Sequence, residues 1–200
     1  MRFILLLLFI LLASTVQGQF RDSVYVKTKI YEVVYSELLQ QPKWLVYRST
    51  NRPTKVNRGT IDFHLETKIK TSDDADYYAN EWDKGHLAPA ATFSDNMENL
   101  YITFSYLNSA LQQQDLNRGA WRLLEQQERI WDDKEPLTVK ILLEFKNSRI
   151  LSTGATIPSA FHKHIFWEVS KKKECYYFPN AKPILTWDQY RKASCPLLKF

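Results

Sequence analysis

Cysteine and glycine are scarce in this chain of 200 residues, which has two cysteines, five glycines and eight prolines. So little glycine excludes a collagen-like repeat, and the sequence holds no internal repeat, no low-complexity segment and no linker long enough to divide it. Long apolar runs are also lacking. The one uninterrupted run, Phe3 to Ala13, is eleven residues, short of the roughly 20 that span a bilayer. Neither sign of charge dominates: 27 Lys and Arg stand against 22 Asp and Glu, a formal net charge of +5. That excess permits a polyanionic partner without requiring one. What the chain does have is 44% hydrophobic and 14% aromatic residues, enough bulky apolar surface for the core of one soluble globular domain.

The run at the N-terminus follows Arg2 and ends in Ser14, Thr15, Val16, Gln17 and Gly18. A charged start, a short apolar centre and small residues at the cleavage spacing predict a secretory signal peptide over residues 1–18. Residues 19–200 then form a single domain, secreted or held in the lumen of the secretory pathway, with no stable membrane association after cleavage. Loss of Arg2 leaves a mature net charge of +4. An oxidising compartment predicts that Cys175 and Cys195 form a disulfide, closing a loop of about 20 residues for about 3 kcal/mol in the chain-entropy picture. A zinc site is disfavoured, because there is no CxxC pair and the four histidines are scattered.

Val24 to Tyr35, Thr138 to Phe145 and Phe161 to Val169 are β-leaning segments, and Thr50 to Gly59 is a polar surface loop. A helix is predicted from near Asp115, with Leu116, Ala120, Leu123, Leu124 and Trp131 as its apolar stripe and Gly119 weakening it. Leu100 to Gln114 reads as a preceding helix or irregular turn. The order of strands, helical centre and strands is an α+β arrangement.

Two stretches carry chemistry. In Asp83-Lys84-Gly85-His86-Leu87-Ala88-Pro89-Ala90, a glycine allows a tight turn before an imidazole, and Lys84 places a positive charge two residues away. Alone, such a histidine is more often a surface or packing residue. In the predicted helix, Asn117, Trp121 and Glu125 share one face at helical spacing. An asparagine oxygen can ligate a hard cation, and a carboxylate further along can hold that cation's waters. An amphipathic helix with a solvated polar face is the plainer alternative.

Taken together, Asp83 to Ala90, Thr103-Phe104, Asn108, Gln112 and Asn117-Arg-Gly-Ala-Trp-Arg-Leu-Leu-Glu125 resemble the DNA/RNA non-specific endonuclease family. The resemblance runs roughly from Arg58 to Phe166 and includes Ile157 to Lys163. It implies a ββα-metal nuclease core on a mostly antiparallel sheet flanked by helices, and metal-dependent hydrolysis of phosphodiester bonds in DNA and RNA. By similarity His86 is the general base, Asn117 the direct ligand to Mg2+, with Mn2+ as an alternative, and Glu125 the carboxylate that orients water around the cation. Lys84 belongs to the catalytic set, Asn108 and Gln112 position the site or bind substrate, and Arg58 matches an upstream arginine that binds substrate phosphate. A homodimer is one arrangement that the resemblance leaves open.

Departures from the family pattern are specific. Lys84 stands where the family has arginine, and an ammonium cannot reproduce the two parallel hydrogen bonds of a guanidinium. This keeps open a second reading, a catalytically weakened nucleic-acid-binding protein of the same fold. Leu111 replaces a family proline, and Leu142-Leu143-Glu144-Phe145 replaces a glycine-containing strand end. Outside the resemblance, His162 and His164 share a strand face, Lys171 to Lys173 form a basic run, and Trp82, Trp121 and Trp131 are expected in the core rather than stacked on bases.

Overall fold

The computed structural model describes residues 20–194, so the predicted leader and Cys195 lie outside the described residues. Strands β1 (Val24–Lys27), β2 (Tyr31–Ser36), β3 (Gln41–Ser49), β6 (Leu137–Glu144), β7 (Ala160–Trp167) and β8 (Lys173–Pro179) form one antiparallel sheet in the order β1-β2-β3-β6-β7-β8. Strands β4 (Trp82–His86) and β5 (Ser109–Gln113) form a separate two-stranded antiparallel sheet. Between β4 and β5 lies helix α1 (Met97–Thr103). After β5 come a short turn, α2 (Gln114–Leu116), a π-helical turn over Asn117–Trp121, and helix α3 (Arg122–Asp132). The architecture is α+β and mostly antiparallel, as the sequence predicts.

Strands β6 and β7 show why the main sheet forms. Leu137, Val139, Ile141 and Leu143 alternate inward along β6, and Phe161, Lys163, Ile165 and Trp167 do the same along β7. The predicted strand Val24 to Tyr35 is instead a hairpin. The Thr28 hydroxyl accepts from the Ile30 and Tyr31 backbone amides at 3.3 and 3.0 Å, turning the chain between β1 and β2. Strand β5 corrects the reading of Leu100 to Gln114. Ser109-Ala110-Leu111-Gln112-Gln113 lacks alternation because all five residues are buried, so neither face is exposed to polar solvent.

Beyond its pairing with β4, the backbone of β5 is satisfied by side chains. The Leu111 amide donates to Gln41 Oε1 at 3.0 Å and the Gln113 amide to Asn180 Oδ1 at 2.8 Å. Asn180 Nδ2 donates to the Leu111 and Pro158 carbonyls at 2.9 and 2.8 Å. An edge that would otherwise present unpaired backbone groups is thereby docked onto the main sheet. A proline at 111, the family residue, would have no N–H to give Gln41.

Helix α3 lies against the inner face of the sheet with Leu124 and Glu128 fully buried. Leu123, predicted on the apolar stripe, is exposed. The reason is the backbone break at Gly119 (φ −106°, ψ −111°), which kinks the chain before α3 and interrupts the 100° register on which the stripe was projected. Trp121 packs against Phe161 and Phe178, with ring centroids 5.4 and 5.6 Å apart, so it is core. Next to it is a buried polar cluster. Lys163 Nζ lies 2.6 Å from Glu128 Oε1 and 4.4 Å from the Trp121 ring centroid, and the Tyr47 hydroxyl donates to Glu128 Oε2 at 2.6 Å. Both charged side chains are wholly removed from solvent, so each depends on the other for its charge. Lys163→Met alone is expected to destabilise the protein by about 3–5 kcal/mol, by stranding Glu128. Joint replacement of Lys163 and Glu128 by apolar residues should cost less, and urea denaturation of the two variants measures the difference.

Candidate active site

His86 ends β4 opposite Ser109. Its ring lies 4.9 Å from both Phe63 and Phe104, and Nε2 is buried without a protein partner. Burial, and then the Arg58 charge, push the imidazole down to about 4, so it is neutral and able to accept a proton at physiological pH. The Arg58 guanidinium carbon lies 4.4 Å over Phe104, and its Nε donates to the Ile61 carbonyl at 2.9 Å. Gly85, one residue earlier, has no room for a side chain. A Cβ there would fall 2.4 Å from Gln112 Oε1 and 2.6 Å from Gln112 Cβ. Gln112 fills the space over Gly85, and both of its amide atoms are buried without partners.

On the same strand, Asp83 joins the hairpin to the helical region. Asn117 Nδ2 donates to Asp83 Oδ2 at 2.9 Å, and Arg118 grips both Asp83 oxygens through Nε at 2.8 Å and Nη2 at 2.7 Å. Asp83 is three residues from His86, on the order of 10 Å of extended strand. Glu125 follows in the first turn of α3. Its Oε1 is buried and unpartnered, and burial pushes its carboxyl up to about 7, with Lys163 and Arg129 opposing that shift and Glu128 adding to it.

No group of three or more His, Cys, Asp or Glu among the described residues is arranged to hold a metal ion. The donors on offer are of another kind, the Asn117 amide oxygen and the buried, unpartnered atoms of Gln112 on β5 and Glu125 in α3. That donor set fits a hard cation retaining most of its waters, since Mg2+ prefers oxygen and dehydrates reluctantly.

The sequence pattern of the family described as DNA/RNA non-specific endonuclease matches residues 11–198. The chain belongs to that family. Mitochondrial endonuclease G of Bos taurus is 36% identical over 76 residues, which cover 36% of this chain and 25% of that protein. The match thus spans about a quarter of the length of that relative. A chain in the crystal structure of the EndoG/EndoGI complex, described as the mechanism of EndoG inhibition, has the same fold at a TM-score of 0.72. It is 22% identical, and the alignment covers 84% of this chain and 79% of that one.

Within this endonuclease family member, the residues singled out by sequence divide into groups. His86, Gln112 and Asn117 belong to the hairpin and the turn that follows it, and Glu125 is carried by α3. Asn108, expected to position the site or the substrate, has no solvent-exposed surface. Its Oδ1 accepts from the Ala88 amide at 2.7 Å, and its Nδ2 donates to the Ala88 and Thr103 carbonyls at 2.9 and 2.8 Å. With its amide engaged on both sides, it fixes the loop that follows His86. Lys84 is ion-paired to Asp74, whose Oδ1 also accepts from the Tyr106 hydroxyl at 2.5 Å. Its ammonium lies 5.2 and 5.4 Å over the Phe63 and Tyr106 rings. Its charge is therefore partly neutralised and held in an aromatic cage. Cys175 is buried, and its Sγ lies 3.3 Å from the Ser194 carbonyl oxygen.

Sequence reasoning left two charged residues unassigned. Asp83 stands inside the quoted motif, but its partner is 34 positions away in sequence. Arg129 lies one helical turn beyond Glu125 and, with Arg52 and Lys55, lines a cavity of about 230 Å³. The i, i+4 spacing from Glu125 was the available signal.

The two shifts act on stability in opposite senses. His86 is depressed from its ordinary 6.5, so its contribution is present above about 6.5 and lost as pH falls toward 4. Glu125 is raised from 4.5, so its contribution is present below about 4.5 and lost as pH rises through 7. His86→Asn should remove the first effect alone. Its Tm relative to the unsubstituted protein is expected to rise on moving from pH 7.5 to pH 4.5. A pH-independent difference would show that His86 titrates at its ordinary value.

Proposed function

We propose that this chain is a secreted, Mg2+-dependent endonuclease that hydrolyses phosphodiester bonds of DNA and RNA with little sequence preference, engaging backbone rather than base edges. The observation that carries this reading is a half-buried imidazole, neutral and with its Nε2 buried and unpartnered, on the strand whose Asp83 holds Asn117. Membership of the endonuclease family and the shared fold support it.

His86 accepts the proton of the attacking water as the new P–O bond forms and the bond to the 3′ oxygen breaks, leaving a 5′-phosphate. Asn117, through Oδ1, would hold Mg2+ or Mn2+, with Glu125 and Gln112 as hydrogen-bond partners for surrounding water. When bound, the cation supplies charge neutralisation at the phosphate and stabilises the departing oxygen. Arg58 beside His86 contributes positive charge for the phosphate. Export rests on residues 1–18, and the Cys175–Cys195 disulfide would then pin the end of the chain to β8. The Cys175–Ser194 contact, one residue before Cys195, supports that pairing.

A second reading has its own observation. Because Lys84 is engaged by Asp74 and lacks the arginine fork, the chain is alternatively a weakened or inactive nucleic-acid binder. Supercoiled plasmid or RNA incubated with the purified secreted protein, with Mg2+ or with chelator, decides between them. Nicking that needs the metal is expected. Salt-sensitive binding without cleavage would favour the second reading. His86→Ala should lower the cleavage rate by ~10²–10⁴-fold with the melting curve retained, and cleavage at the unsubstituted rate would remove His86 from the mechanism.

A further inference from the structure

Asp83 takes no part in the proposed bond cleavage, yet it makes three short polar contacts at the junction of hairpin and helix. Its side chain is 19% exposed and lies between the half-buried Asn117 amide and the Arg118 guanidinium, which is 67% exposed. The two partners are neighbours in the π turn, and Arg118 is itself tied to the next turn, where Arg122 Nε donates to its carbonyl at 2.9 Å.

An asparagine amide has two chemically different ends, an acceptor oxygen and a donor NH2. A carboxylate can only accept. Facing Asp83, Asn117 must therefore turn its NH2 toward the strand, and its Oδ1 is left pointing away from the carboxylate. The alternative flip would set oxygen against oxygen. Arg118 keeps this arrangement in place by binding both oxygens of Asp83, so that the carboxylate plane is set by a two-pronged contact rather than by one bond.

We infer that Asp83, braced by Arg118, is the positioning residue that selects the amide orientation of Asn117 and so presents Oδ1 to a divalent cation. The inference rests on the reading of Asn117 as the cation's ligand. Asn117 and Arg118 reach the same carboxylate from adjacent positions just before the backbone break at Gly119. Partners that orient a ligand in this way commonly change metal affinity by 10–100-fold when removed.

The test is Mn2+ binding by the full chain, read by loss of the free-ion electron paramagnetic resonance signal, with thermal melting as the control for folding. Asp83→Ala is expected to weaken Mn2+ binding by ~10–100-fold, with plasmid nicking partly recovered at raised metal concentration. Asp83→Asn, which retains an acceptor oxygen but loses the charge for Arg118, and Arg118→Met should each weaken binding by a smaller factor. They carry the test if Asp83→Ala fails to fold. Folded Asp83 and Arg118 variants that bind Mn2+ as the unsubstituted protein does would overturn the inference. Asn117→Ala separates it from the reading beneath it. If that variant also binds normally, Asn117 is not the ligand. If it alone loses the ion, the ligand stands and the Asp83 clasp falls.

Discussion

A buried lysine and glutamate fix where everything else can sit. Lys163 of β7 and Glu128 of α3 are both withdrawn from water and paired with one another, and Tyr47 of β3 donates to the glutamate. Neither charge tolerates displacement, because a helix moved by one turn would leave both unpaired in the core. The preceding turn of the same helix carries Glu125, and the turn before that is the π segment with Asn117. The register of the helix on the sheet therefore determines the depth at which these side chains meet solvent. A polar cluster deep in the core is thus part of how the surface chemistry is placed.

The surroundings of the site push His86 and Glu125 in opposite directions. His86, packed between Phe63 and Phe104 and near Arg58, disfavours its proton, while Glu125, with its Oε1 buried and Glu128 close by, favours its own. Desolvation leads in both cases, and it penalises whichever form is charged. A base that stays neutral and a carboxyl whose charge depends on neighbouring cations suit a centre that handles a negatively charged substrate. Among the described residues no carboxylate or histidine cluster is arranged to hold a metal, and one amide oxygen with retained water is a donor set that can hold a hard cation.

How much of this was readable in the sequence depended on the length scale of each signal. Strands β6 and β7 announced themselves because their residues alternate between the core and the open face. Strand β5 did not, since Ser-Ala-Leu-Gln-Gln is covered on both faces and its glutamines are held inside by the fold. The helix was legible, but its break into α2, a π turn and α3 was not, so Leu123 was placed inward when it points out. The motif residues were legible because short spacings fix their types. Their partners were not: Asp74 for Lys84, Ala88 for Asn108 and Glu128 for Lys163 come from other segments joined only by the topology.

One docking contact has a consequence for how this sequence can drift. The backbone amide of residue 111 exists as a donor because leucine, not proline, occupies that place, and it is held by the Gln41 side chain across the hairpin edge. A proline at 111 would leave the Gln41 oxygen buried with nothing to accept, and a leucine facing an apolar residue at 41 would leave its amide unanswered. The two positions are thus a matched pair, one on the main sheet and one on the hairpin. Exchanging either alone passes through a less stable intermediate, so lineages of this fold should tend to carry one combination or the other and seldom a mixture.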